Sequence, residues 1–166
     1  ALDEALQAPL SFTGHRHLIS RLILATLTGR PVRISQIRSS STNPGLNRHE
    51  TNFIRLLDSV TNGSQIQFSM TGTTLVYRPG LITGSAEGLG ASGGVIRHEI
   101  PLECRKKGVS WWLIPLCVLA PFSKGNMNVI FHGEGCVTSS TITGDVSADT
   151  VRTAILPLYL SLIHIS

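Results

Sequence analysis

The chain has 166 residues, about the length of one ordinary domain, and 42% of them are hydrophobic. Only 14% are charged, against roughly 25% in a typical globular domain, which excludes a disordered chain and predicts some apolar surface that a neighbouring element or molecule covers. The net charge of +4 suits a polyanionic partner, although scattered, solvated arginines account for it equally well.

The chain begins with alternating helical and extended patterns. Apolar residues dominate from His17 to Thr28 and predict a mostly buried helix that ends at Gly29. The segment 32–38 (VRISQIR) alternates apolar and polar side chains and predicts a strand. Further on, two antiparallel strands joined by a turn at Thr71-Gly72 are expected.

Between these strands lies a second, amphipathic helix. Asn47 and Glu50 have the spacing of a capping box, in which the Asn side chain accepts an early helix N–H and the Glu side chain reaches back to the cap. Asn62 and Gly63 predict a left-handed stop. Glu50 could be read as a general base, but the cap gives it a structural role.

The second half repeats this order. After a glycine-rich linker or mobile loop, a buried helix is expected from Val109 to Ser123 with a stop at Gly125, then a strand, then an amphipathic helix capped near Ser147. The apolar run 111–122 is too short for a membrane helix, so no membrane contact is predicted. The fold class expected is α+β, made of duplicated units of two helices packed on a four-stranded sheet, with the second unit incomplete.

The predicted boundaries are an N-terminal tail (1–11), a first repeat (12–83), the glycine-rich linker (84–94), a truncated second repeat (95–159) and a tail that is not native family sequence (160–166). The three cysteines form no CxxC pair and are predicted to be buried, reduced thiols of an intracellular protein. His15 and His17 could form half of a metal site, but no partner follows at ligand spacing, so no metal or cofactor is expected.

The loop 37–47 is the candidate functional segment. Arg38 and four hydroxyl side chains precede a tight turn at Pro44-Gly45. Such a loop could hold a phosphate, through Arg38 and Arg48, because guanidinium groups bind phosphate in a forked geometry. The cap formed by Asn47 and Glu50 favours instead a strand-to-helix connection, in which the hydroxyl groups of Ser39, Ser40, Ser41 and Thr42 satisfy loop backbone atoms.

Two long stretches resemble the RNA 3′-terminal phosphate cyclase superfamily. Residues 24–84 (LATLTGRPVRISQIRSSSTNPGLNRHETNFIRLLDSVTNGSQIQFSMTGTTLVYRPGLITG) resemble its first repeat. Residues 108–131 (GVSWWLIPLCVLAPFSKGNMNVIF) and 144–159 (GDVSADTVRTAILPLY) resemble the second. The sequence of these stretches resembles the eukaryotic, nucleolar cyclase-like branch more than the true cyclases.

The departures from the cyclase pattern favour that branch. Where active cyclases carry an acidic residue and a run of glycines, this chain reads Phe12-Thr13-Gly14-His15-Arg16, and the helix arginine is replaced by Ile19. Arg21 lies half a turn further on and points elsewhere. A second loop arginine is replaced by Ser41, and the Gln-His pair by His49-Glu50. The family's adenylated histidine lies beyond this chain, so no catalytic residue is assigned.

The resemblance implies a scaffold role: a monomeric component of the small-subunit processome in the nucleolus of the nucleus. Its implied partners are a large processome GTPase, pre-rRNA and the small nucleolar ribonucleoprotein particle, in support of early pre-rRNA cleavage. The alternatives are an RNA-processing enzyme, either a pre-rRNA endonuclease or an ATP-dependent RNA 3′-phosphate cyclase, and a generic RNA-binding module with steep salt dependence. The candidate phosphate or RNA contacts are Arg38, Arg48, Arg16 and Arg21.

Overall fold

The computed structural model describes residues 8–86, 94–142 and 144–158. Its first unit is a four-stranded sheet in the order β1-β2-β5-β4. The strands are β1 (Leu10–Thr13), β2 (Val32–Ser35), β4 (Gln65–Phe68) and β5 (Leu75–Arg78). The helices are α1 (Leu18–Thr28) and α2 (Arg48–Val60). β1 and β2 are parallel, and the other two neighbouring pairs are antiparallel.

Several predicted features of this unit are confirmed. α1 ends at Gly29, whose φ of 69° lies in the left-handed region that glycine adopts without strain. Along β2, Val32 and Ile34 are buried and Arg33 is exposed, as the alternation predicts. The hairpin of β4 and β5 turns at Thr71-Gly72.

Three boundaries differ from the predictions. β1 begins at Leu10, so part of the segment predicted as a tail pairs with β2. β2 ends at Ser35 rather than at residue 38 because Gln36 and Arg38 have positive φ angles of 54° and 45°, which no extended strand tolerates. α2 ends in extended rather than left-handed backbone at Thr61, which starts the short β3 (Thr61–Asn62) paired with β6 (Leu81–Ile82).

The second unit repeats the parallel pair of the first. Its elements are β7 (Ile96–Glu99), a 3-10 turn (Leu102–Cys104), α3 (Ser110–Leu119), β8 (Val129–His132) and α4 (Ala148–Thr150), which continues as a π-helical turn (Val151–Ile155). β7 pairs parallel with β8 across α3, as β1 pairs with β2 across α1. This duplication confirms the predicted α+β class, and the second sheet has two strands in the described part of the chain.

One prediction for the second half is confirmed and one needs correction. The buried helix predicted from Val109 to Ser123 begins at Ser110, tightens into a 3-10 turn at Ala120–Phe122 around Pro121, and has its C-cap at Ser123, two residues before the predicted stop at Gly125. The predicted linker begins with packed residues: the backbone N–H and the hydroxyl of buried Ser85 both donate to Asn126 O, at 2.8 and 2.7 Å. Most of that linker and the tail 160–166 lie outside the described residues.

One hydrophobic core serves both units. Leu22 of α1, Phe53 and Leu57 of α2, and Trp112 and Leu116 of α3 belong to the same buried cluster. The predicted core helix contributes Trp112, Leu116 and Leu119 to this cluster, whereas Phe122 at the end of the run 111–122 is exposed. In the described ranges, no helix has the length and apolar character that crossing a membrane requires.

Candidate functional site

The loop between β2 and α2 is held against the turn of the β4-β5 hairpin. Ile37 is fully buried, and its N–H donates to Thr73 O at 2.9 Å. Gly45 N–H donates to Ile37 O at 2.9 Å, and Leu46 N–H to Gly72 O at 3.1 Å. A side chain at Gly45 would collide with Thr71 O, so the loop can approach the hairpin this closely only with glycine there.

Arg38 and Glu50 form a forked ion pair beneath this loop. Arg38 Nη1 donates to Glu50 Oε2 at 2.8 Å and Nη2 to Oε1 at 2.7 Å, and the two side chains are 17% and 7% exposed. Arg38 Nη1 also donates to Gly45 O at 3.1 Å. Glu50 Oε2 accepts the Asn47 N–H at 2.8 Å, which confirms the capping-box role predicted for Glu50.

The structure therefore gives the predicted phosphate ligand Arg38 three protein acceptors. A phosphate at Arg38 would compete with this pair, and its role as a phosphate ligand stays a prediction. Of the four loop hydroxyl groups, Ser41 satisfies loop backbone by accepting the Asn43 N–H at 3.3 Å. The capping-box spacing predicts the cap, whereas the ion pair joins residues 12 positions apart and leaves no local sequence pattern.

The other predicted arginines lie apart from Arg38. Arg21 Nη1 donates to Gly14 O at 3.1 Å, and its guanidinium lies 4.9 Å from the centre of the Phe12 ring. Arg16 is exposed in the turn before α1. Arg48 is exposed at the start of α2, with its Nη1 3.9 Å from Glu103 Oε1. The four guanidinium groups thus do not form one site.

A cleft of about 310 Å³ lies between α1 and α3. Its lining includes Ile19 and Ser20 of α1, Ser110, Trp111 and Ile114 of α3, and Asp145. Asp145 Oδ2 accepts the Gly108 N–H at 2.9 Å and the Thr141 hydroxyl at 3.0 Å, so this carboxylate already serves the loop around it. Chemically, the cleft presents an indole and branched aliphatic side chains rather than a paired acid and base.

Trp111 links this cleft to α2. Its ring centre lies 5.0 Å from that of His49 and 5.8 Å from that of Phe53, both edge to face. Burial lowers the pKa of His49, with the nearby Glu50 charge opposing the change. His49 is consequently a neutral ring packed on an indole at physiological pH, a geometry that favours packing over proton transfer.

A polar bridge that no sequence pattern predicts joins the two units. Asn52 Oδ1 lies 2.7 Å from His98 Nε2, and Asn52 Nδ2 donates to Glu99 O at 2.9 Å. The pKa of His98 is lowered to about 4, first by burial and then by the charges of His132 and Arg55. His98 therefore donates its Nε2–H to Asn52. In the sequence, His98 has no polar partner nearby, and only the alternation of buried and exposed positions along β7 indicates that it is buried.

In the described ranges, no three His, Cys, Asp or Glu side chains cluster as metal ligands would. The cysteines are free: Cys104 is buried, whereas Cys117 and Cys136 are half-buried. Burial raises the pKa of all three thiols, which makes them poor nucleophiles.

Comparison with known proteins gives the family. The protein-family model described as RNA 3'-terminal phosphate cyclase matches residues 10–165 of the chain. The chain belongs to the RNA 3'-terminal phosphate cyclase family. It is 42% identical over 149 residues to the RNA 3'-terminal phosphate cyclase-like protein of Bos taurus, covering 90% of this chain and 35% of the relative. The human protein of that name is 41% identical over 149 residues, which again cover 90% of this chain and 35% of the relative.

The rRNA processing protein RCL1 of Saccharomyces cerevisiae is 38% identical over 148 residues, or 89% of this chain and 36% of the relative. The chain thus spans about a third of the length of these relatives. Ile19, where the resemblance to the cyclase family leads one to expect an arginine, lines the cleft between α1 and α3 together with Trp111.

Proposed function

We propose that the full-length protein is a ribosome-biogenesis factor that supports pre-rRNA processing in the nucleolus and does not itself cyclise RNA ends. The proposal is supported by relatives in yeasts that carry the name rRNA processing protein and by mammalian relatives named cyclase-like. Its physical support is the cleft at Ile19. Among the residues that the structure describes, Asp145 is its one charged lining residue and no arginine or lysine lines it, so the cleft offers no positive charge to a nucleotide or RNA-end phosphate.

The proposed role is that of a scaffold. A mildly basic body with one continuous core is suited to holding other components in place. We propose the small-subunit processome as its setting, with a processome GTPase, pre-rRNA and the small nucleolar ribonucleoprotein particle as partners and early pre-rRNA cleavage as the step supported.

Depletion of the full-length protein from its own cells tests the processing role. We expect unprocessed pre-rRNA to accumulate and the small ribosomal subunit to fall, with recovery when the intact gene is restored. Affinity purification from the same cells should recover a GTPase together with pre-rRNA. Normal pre-rRNA patterns after complete depletion would overturn the proposal.

A second experiment tests the absence of cyclisation. The full-length protein is incubated with ATP and an RNA that carries a labelled 3′-phosphate, alongside an active cyclase as the positive control. We expect no 2′,3′-cyclic end, whereas its formation would make the protein an enzyme. Cleavage of a pre-rRNA fragment by the purified protein alone would likewise replace the scaffold with the endonuclease alternative.

A further inference from the structure

A second cleft, of about 300 Å³, opens where α2 meets the second unit. Its lining consists of Leu46, Arg48, Thr51, Asn52, Arg55 and Pro101. The four residues from α2 follow the helical spacing of neighbours on one face. This face differs from the one that carries His49 and Phe53 toward Trp111, so the cleft is separate from the one at Ile19.

The two arginines of this cleft are available to a ligand. Arg48 and Glu103 are 78% and 57% exposed and 3.9 Å apart, a separation and exposure at which an ion pair contributes little. Arg55 is exposed and makes no ion pair within the part of the chain that the structure describes. Arg38, by contrast, is held by Glu50 at 2.7 Å. The positive charges of α2 that can still bind an anion, those of Arg48 and Arg55, therefore lie on this face.

The floor of the cleft is fixed by buried polar contacts. Asn52 is 8% exposed and contacts both the His98 ring and the Glu99 carbonyl. These contacts fix the position of α2 against β7 at the base of the cleft. Thr51 donates its hydroxyl to Asn47 O at 3.1 Å and keeps its oxygen lone pairs free to accept. A ligand would meet a preformed surface, which lowers the entropic cost of binding.

The lining contains no aromatic side chain, so a nucleic-acid base has no ring to stack on. Guanidinium forks suit phosphate oxygens, and contacts to phosphates carry no sequence information. We propose that this cleft binds the sugar–phosphate backbone of single-stranded RNA, with Arg48 and Arg55 each contacting a phosphate. The choice of RNA over an acidic peptide rests on the proposed function.

The test uses the complete chain and a fluorescein-labelled single-stranded RNA of mixed sequence, with affinity measured by anisotropy between roughly 50 and 200 mM salt. The variant R48Q/R55Q removes both arginines of the cleft. The matched control R33Q/R97Q removes two exposed arginines from the outer faces of β2 and β7. Circular dichroism and thermal unfolding verify that each variant is folded.

Each phosphate contact to a single strand contributes a slope of about 0.7 in log affinity against log salt. We therefore expect R48Q/R55Q to reduce the slope by about 1.4 and to weaken binding at the lowest salt by roughly tenfold or more. R48K/R55K should retain most of the slope because it keeps both charges, and R33Q/R97Q should change it by much less.

An unchanged slope in R48Q/R55Q, or an equal loss in R33Q/R97Q, would overturn the cleft assignment. Displacement of the RNA by polyglutamate at an equal concentration of charges would overturn the choice of RNA and favour an acidic peptide. If the cleft fails while depletion still blocks pre-rRNA processing, only the cleft assignment falls. If the cleft behaves as expected while depletion leaves processing intact, only the proposed function falls.

Discussion

Glu50 is a charged residue near the candidate loop whose carboxylate oxygens are both hydrogen-bonded within the protein. Its carboxylate accepts two hydrogen bonds from Arg38 and one from the Asn47 N–H. The negative charge also lies in the first turn of α2, where the helix dipole favours it. With three donors on its carboxylate, Glu50 is suited to holding the loop in place.

Replacement of Glu50 by Gln should destabilise the chain by about 3 kcal/mol, because it leaves the largely buried Arg38 guanidinium without its counter-charge. Urea unfolding followed by circular dichroism measures this loss as a lower midpoint. The matched control is Glu103→Gln, which removes the carboxylate of the exposed pair with Arg48 and should change stability by less than about 1 kcal/mol. Equal losses in the two variants would contradict the structural role of Glu50.

His98 should make stability depend on pH. Its pKa is lowered to about 4 in the folded chain, so the unfolded chain binds more protons between pH 6.5 and about 4. Stability is then full above pH 6.5 and falls by about 3 kcal/mol as the pH drops to about 4. Denaturant midpoints measured across this range should show a clearly flatter dependence in His98→Gln. The lowered pKa of His49 leaves a residual slope in both chains, and identical slopes would refute the assignment to His98.

At the scale of elements, the decisive contact is between the loop after β2 and the hairpin turn. Gly45 has a φ of 90°, and an added Cβ would collide with Thr71 O. We expect Gly45→Ala to cost about 2 kcal/mol or more, since backbone strain and a steric clash add. Gly63, with a φ of 80° and open space around it, is the matched control, and Gly63→Ala should cost only about 1 kcal/mol. Thermal unfolding compares the two, and similar shifts would mean that the loop can move away from the hairpin.

The elements also show which information a sequence carries locally. α1, the core of β2, the hairpin and the cap of α2 follow from periodicity and from Gly, Pro and Asn signals within a few residues. β1 was missed because its pairing with β2 is parallel, and a parallel partner is set by the helix crossing between the strands rather than by a local turn. The Arg38–Glu50 pair and the Asn52–His98 bridge join residues distant in sequence, so neither leaves a local pattern.

At the scale of the whole molecule, the two repeats share one interior. α1 packs on α3, Trp111 contacts residues of α2, and Asn52 ties α2 to β7. The apolar side chains of both units belong to one buried cluster. A unit separated from this interface would expose buried side chains to water, so neither is expected to persist without the other.

This shared interior predicts a single cooperative unfolding transition. Both tryptophans, Trp111 and Trp112, belong to the second unit, so their fluorescence reports on that unit, whereas far-ultraviolet circular dichroism reports on helices of both. The two signals should give the same midpoint in urea because both units contribute side chains to one buried cluster.

Asn52→Ala should lower both midpoints together, since it leaves the buried His98 N–H and the Glu99 carbonyl without their partner. Thr51→Ala, which removes a half-buried hydroxyl that bonds only within the first unit, is the control and should shift them less. A fluorescence midpoint that separates from the circular dichroism midpoint would show that the second unit opens by itself, and the interface would then be a contact between two domains.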